Sequence, residues 1–65
     1  MQNFTLEDGT NVSVSNDKLY RIGLNMPRNG NYNDMYIETF YLLYPTEIKK
    51  YIKKYDGVPV YIVEM

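Results

Sequence analysis

Tyr44-Pro45-Thr46-Glu47-Ile48-Lys49-Lys50-Tyr51-Ile52-Lys53-Lys54-Tyr55-Asp56-Gly57 is the stretch whose reading decides the fold of this chain. Within it Ile48, Tyr51, Ile52 and Tyr55 recur at i, i+3, i+4 and i+7, the inward stripe of an amphipathic helix. The spacing predicts a helix over 46–56. Thr46 stands where an N-cap is expected, Glu47 suits the positive end of the helix dipole, the lysines crowd the second half, and Gly57 takes the C′ place. Val58-Pro59-Val60-Tyr61-Ile62-Val63-Glu64 follows at once and reads as a strand. Pro59 has no N–H for a ladder, so it belongs near that strand's start or on a sheet edge.

Every lysine of the helix falls between the apolar positions, so Lys49, Lys50, Lys53 and Lys54 share the outer face. Lys49/Lys53 and Lys50/Lys54 are like-charged i,i+4 neighbours, an arrangement that costs an isolated helix about 0.2–0.5 kcal/mol per pair. Only Glu47 relieves it along the helix. A solvated surface accounts for the row most simply. An anionic partner, either an acidic protein surface or a phosphate backbone, is the alternative that gives the repulsion a use.

Upstream the period changes from helical to alternating. Phe4 and Leu6 alternate with polar neighbours, Asp8-Gly9 interrupts, and Val12 and Val14 resume the alternation, so a hairpin is expected with Asp8-Gly9 in a type I′ turn. Asn16-Asp17 offers a second turn, leading into a strand over 19–24 with Tyr20, Ile22 and Leu24 on one face. Residues 25–34 read as a polar, turn-rich loop in which Asn29-Gly30 can close a third hairpin. Residues 35–44 are ambiguous, because Ile37, Phe40, Tyr41 and Tyr44 also satisfy helical spacing. A strand is expected there on β-propensity and on the break that Pro45 imposes directly after it.

These elements add up to an α+β fold in one domain, β-β-β-β-α-β: a small, curved, mainly antiparallel sheet with the amphipathic helix packed on one face. In that arrangement the last strand runs opposite to the first, which allows those two to pair.

Sixty-five residues without cysteine or histidine leave a thin margin of stability, no disulfide, and none of the usual Ser-His, Cys-His or zinc-finger chemistry. No phosphate-binding glycine loop, dinucleotide fingerprint or metal-spaced cluster is present in the sequence, and no cofactor is expected. Asp34/Glu38 and Glu7/Asp8 are the only carboxylate pairs worth weighing as acid and base. On the strand reading the first pair lies about 13 Å apart at about 3.3 Å per residue, and the second sits at a turn where solvated acids are routine. We therefore expect no catalytic activity.

The start of the chain has neither a basic n-region nor an apolar run, and no stretch is apolar enough to span a membrane, so no leader and no membrane partner are expected. The lack of disulfides in so small a domain points to the cytoplasm. Residues 1–45 sum to −2 and residues 46–65 to +1, which excludes a strongly acidic nucleic-acid mimic and a generally basic coat protein while permitting a local basic patch. Asn, Lys, Tyr, Ile, Met and Phe supply 31 of the 65 residues and alanine is absent, the composition expected of an AT-rich genome, a low-GC bacterium or its phage or plasmid.

Eight tyrosines and no tryptophan serve both as core bulk with a hydroxyl at the rim and as interface residues. Tyr51 and Tyr55 share the helix stripe and belong to the core. Tyr32, in the polar loop beside Arg28 and several asparagines, is the tyrosine expected to serve a partner. The expected function is non-enzymatic binding: a homodimer recognising a host protein as a phage or mobile-element accessory or inhibitor, with Lys49, Lys50, Lys53, Lys54, Arg28 and Tyr32 as binding residues. Two alternatives are nucleic-acid binding by the lysine face and small-molecule or nucleotide sequestration in a pocket between protomers lined by Tyr32, Arg28 and nearby asparagines.

Overall fold

A computed structural model describes residues 1–65 and gives β1 (Gln2–Thr5), β2 (Asn11–Val14), β3 (Tyr20–Arg28), β4 (Asn31–Leu43), α1 (Pro45–Tyr55) and β5 (Val58–Glu64). The β-β-β-β-α-β order expected from the sequence is the order observed, and residues 35–44 are strand up to Leu43. The strands form two antiparallel sheets, a β1-β2 hairpin and a three-stranded sheet in the order β4-β3-β5. β5 therefore pairs with β3 and not with β1, against expectation. The reason lies in β3, whose Tyr20, Ile22, Leu24 and Met26 are all buried. A strand this apolar gains most from a neighbour on each side. The turn that follows β1 reaches β5 through a backbone bond, in which Glu7 N–H donates to the Pro59 carbonyl at 2.9 Å.

The segment 25–34, read as a loop, is mostly ladder. β3 continues to Arg28 and β4 begins at Asn31, leaving Asn29 (φ 53°) and Gly30 (φ 76°) as a two-residue turn. Positive φ at both central positions is the type I′ geometry, which matches the right-handed twist of the strands. The first hairpin uses a different device. Only Gly9 has positive φ there (89°), Gly9 N–H donates to Leu6 O at 2.9 Å, and Leu6 N–H donates to Thr10 O at 2.7 Å. That is a type I turn closed by a left-handed glycine, so Asp8-Gly9 does not form the expected I′ pair.

α1 begins one residue earlier than its spacing suggests. Tyr44, not Thr46, is the N-cap residue: its carbonyl accepts from Glu47 and Ile48, and the Glu47 carboxylate accepts the Tyr44 N–H at 3.0 Å. Pro45 fits the first turn because its missing N–H would have had no partner there. At the other end Asp56, not Gly57, adopts the left-handed conformation (φ 52°), and Gly57 N–H closes the turn on Ile52 O at 3.1 Å. Gly57 is small for another reason. A Cβ there would lie 3.3 Å from Leu24 Cβ, so glycine lets the chain pass over the central strand.

The core comprises Phe4, Val14, Tyr20, Ile22, Leu24, Met26, Leu43 and Ile48. Leu43 reaches it through a bulge. Between Tyr20↔Leu43 and Ile22↔Phe40, β4 carries one residue more than β3, and Leu42 takes positive φ (57°) to absorb it. The extra residue shifts the alternation by one, which points Leu43 inward although Phe40 already faces the helix. Phe40 packs against Tyr51 edge-on (5.0 Å between centroids) and stacks with Tyr55 (5.5 Å), so both helix tyrosines face inward as their spacing predicts but are half-buried, packed against the core and not within it as expected. No helix is long and apolar enough to cross a membrane.

Candidate functional site

Ile48 anchors the inner face of α1, which holds Lys49, Lys50, Lys53 and Lys54 outward and exposed. None of the four forms an ion pair; the two salt bridges of the chain are Lys18–Glu64 (3.4 Å) and Arg28–Asp34 (3.2 Å). The row is thus a positive strip with no neutralising partner inside the molecule.

At its C-terminal end the row meets the tip of the β3–β4 hairpin. A cleft of about 390 Å³ opens there, lined among others by Met26, Tyr36, Lys54, Tyr55 and Asp56. The turn geometry places Arg28 beside it: the guanidinium lies 4.3 Å from the Tyr36 ring centroid while its Nε holds Asp34. Across the gap Lys54 Nζ is 5.2 Å from the Tyr55 ring. Tyr32, 65% exposed, donates its hydroxyl to the Asp56 carboxylate and so ties the hairpin to the helix end. Of the expected binding residues only Lys54 lines the cleft, which lies within a single protomer; Arg28 and Tyr32, expected to line such a pocket, do not, and flank it through their contacts with Tyr36 and Asp56. Lys49, Lys50 and Lys53 lie outside it, along the helix. Arg28 and Tyr32 already hold intramolecular acids, which leaves the lysines as the freer cations.

Sequence reasoning did not single out Tyr36, Asp56 or Met26 as cleft residues. Their approach depends on how far the hairpin reaches over the helix, which neither segment specifies alone.

The carboxylates do not converge. Asp34 pairs with Arg28, and Glu7 accepts from Asn25 Nδ2 at 2.9 Å. Asp8 accepts the Thr10 N–H at 2.9 Å, and that backbone bond, aided by the Thr10 side chain, holds its carboxyl below the ordinary carboxylate range. A general acid needs the opposite shift.

The face of the three-stranded sheet turned away from α1 is a second surface. Alternation sets Met35, Ile37, Thr39 and Tyr41 of β4 beside Arg21 and Gly23 of β3 and Tyr61 and Val63 of β5. Ile37 and Tyr41 are each 58% exposed and Val63 42%. Arg21 is the one charged residue in that set. Tyr61 lies across Gly23 and shares a 2.7 Å hydrogen bond with Thr39. The tyrosine-rich composition signalled such a surface, but only the register says which side chains share it.

No protein-family model matches the chain, and no curated protein or solved structure is significantly similar to it.

Proposed function

We propose that this protein is a non-enzymatic binding protein, acting in the cytoplasm as a homo-oligomer and engaging an acidic surface of a host protein through α1. The observation that carries the reading is the unneutralised row Lys49, Lys50, Lys53 and Lys54. Its mutual repulsion works against the helix, and an opposing acidic surface would turn that cost into binding energy and a faster encounter. The AT-rich composition fits an accessory or inhibitor protein of a phage or other mobile element in a low-GC host.

A lysate pull-down comparing the wild-type chain with the variant in which all four lysines are glutamate tests this directly. Capture of a defined acidic protein by the wild type alone supports the reading, and equal capture by both refutes it. Nucleic-acid binding is the second reading, favoured by the same strip. It predicts that affinity for single-stranded DNA or RNA falls steeply with salt, whereas weak binding with a flat salt response excludes it. Nucleotide sequestration rests on the cleft beside Arg28 and Lys54. Thermal shifts with nucleotides and cyclic dinucleotides should reveal it, and no stabilisation by any of them removes it.

A further inference from the structure

The edge of the three-stranded sheet formed by β4 is uncovered. β4 is 13 residues long, ends the sheet on one side, and has Asp34 and Glu38 as its charges but carries neither lysine nor proline. Natural edge strands are usually blunted by one of these, by a bulge or by a covering element. β5, the opposite edge, has Pro59 and a register shift at its start. In β4 the irregularities sit only near the ends, around residues 32–34 and at Leu42. Between them Met35–Phe40 is a regular ladder whose outer backbone groups face nothing.

We propose that this edge pairs with the same edge of a second copy, antiparallel, about a two-fold axis at Ile37. The proposal rests on the homo-oligomer reading above and specifies its interface. Symmetry limits the choice of register. Two copies of one strand related by a two-fold axis normal to the sheet must pair residues of equal parity, so the axis falls on a single residue. An axis at Tyr36 sets Asp34 opposite the partner's Glu38, and an axis at Glu38 sets two glutamates face to face. Directly opposed like charges destabilise a sheet.

The axis at Ile37 avoids both conflicts and coincides with the midpoint of Asn31–Leu43. It places Ile37 against the partner's Ile37 and Met35 against the partner's Thr39, on the apolar face described above. On the other face Tyr36, which carries the Arg28 guanidinium at 4.3 Å, meets the partner's Glu38. Each protomer thus offers a cation where the other brings an acid. The same axis keeps both α1 helices on one side of a six-stranded sheet, so the two lysine rows form a single positive surface.

The absence of cysteine makes the test clean. Across the axis an Ile37→Cys pair has Cα atoms about 4.5–5.5 Å apart, within disulfide range. Tyr41→Cys, on the same face and equally exposed at 58%, is the control: its two copies stand eight residue steps apart, about 27 Å. Wild-type protein should sediment as a dimer at micromolar concentration, and Ile37→Cys should oxidise to a linked dimer at least about ten times faster than Tyr41→Cys. Ile37→Glu should weaken dimerisation about ten-fold or more while its monomer still folds, because the side chain is largely exposed. A purely monomeric wild type overturns both the homo-oligomer reading and this interface. A dimer in which the two cysteine variants cross-link alike, or which survives Ile37→Glu unchanged, overturns the β4 interface and leaves the homo-oligomer standing.

Discussion

Gly23 sits on the central strand directly beneath the ring of Tyr61, and the stability of the sheet should register any atom added there. A Cβ at position 23 would fall 2.2 Å from Tyr61 Cε2 and 2.8 Å from Cδ2 and Cζ, so the ring has to leave. Tyr61 is only half-buried, and it can swing outward without moving the backbone. It then loses its 2.7 Å bond to Thr39, worth about 0.5–1.5 kcal/mol, and its contact with the strand. Overpacking costs typically about 1–3 kcal/mol, and replacing glycine by alanine returns about 0.4–1 kcal/mol through the unfolded chain. We expect Gly23→Ala to destabilise by about 2 kcal/mol. At about 2.1 cal/mol/K per residue the unfolding entropy of 65 residues is about 0.14 kcal/mol/K, so Tm should fall by about 15 °C. The assay is thermal and urea unfolding of Gly23→Ala, Tyr61→Ala and the double variant. In the double variant the alanine meets no ring, and its cost should disappear. A Gly23→Ala penalty that persists undiminished without Tyr61, or a single variant that melts within a few degrees of wild type, would refute the steric account.

Other perturbations follow from local geometry. Leu42 holds positive φ with its side chain largely exposed, so Leu42→Asn should raise stability by about 0.5–1 kcal/mol, since asparagine tolerates that conformation; an unchanged urea midpoint would speak against strain at the bulge. Lys50→Glu replaces a repulsive i,i+4 pair with an attractive one to Lys54 and should stabilise the fold by about 0.5 kcal/mol while weakening partner capture, and unchanged capture would remove Lys50 from the binding surface. Asp8 has a lowered pKa in the fold, so its contribution is present above the ordinary value of 3.8 and is lost as pH falls through the folded value. Asp8→Asn should therefore lower stability slightly at pH 6 while leaving the acid end, where the carboxyl is already protonated, nearly untouched, which urea titrations across pH 2–6 can check.

The readings that held came from signals a few residues wide. The Ile48/Tyr51/Ile52/Tyr55 stripe located the helix, Asn29-Gly30 located the tight turn, and the alternation of Tyr20, Ile22 and Leu24 identified the inner face of the central strand. Local misreadings arose where two residues compete for one role. Asp56 took the left-handed place given to Gly57, because glycine was needed for its missing side chain beside Leu24. Tyr44 became the cap residue because Glu47 could reach back to its N–H. The segment 25–34 reads as a loop because its polar residues resemble one until the turn fixes which of them face water.

The sequence by itself determined the order of the elements, the outward lysines and the want of cysteine and histidine chemistry, since each depends on residue identity or on spacing along one segment. Only the tertiary structure decided that β5 joins β3, that Tyr36 and Asn29 come to line one cleft with Lys54 and Asp56, and that β4 is left as an open edge. Those are pairings between segments far apart in the chain, chosen by which strand buries most on both sides, and no local period encodes them.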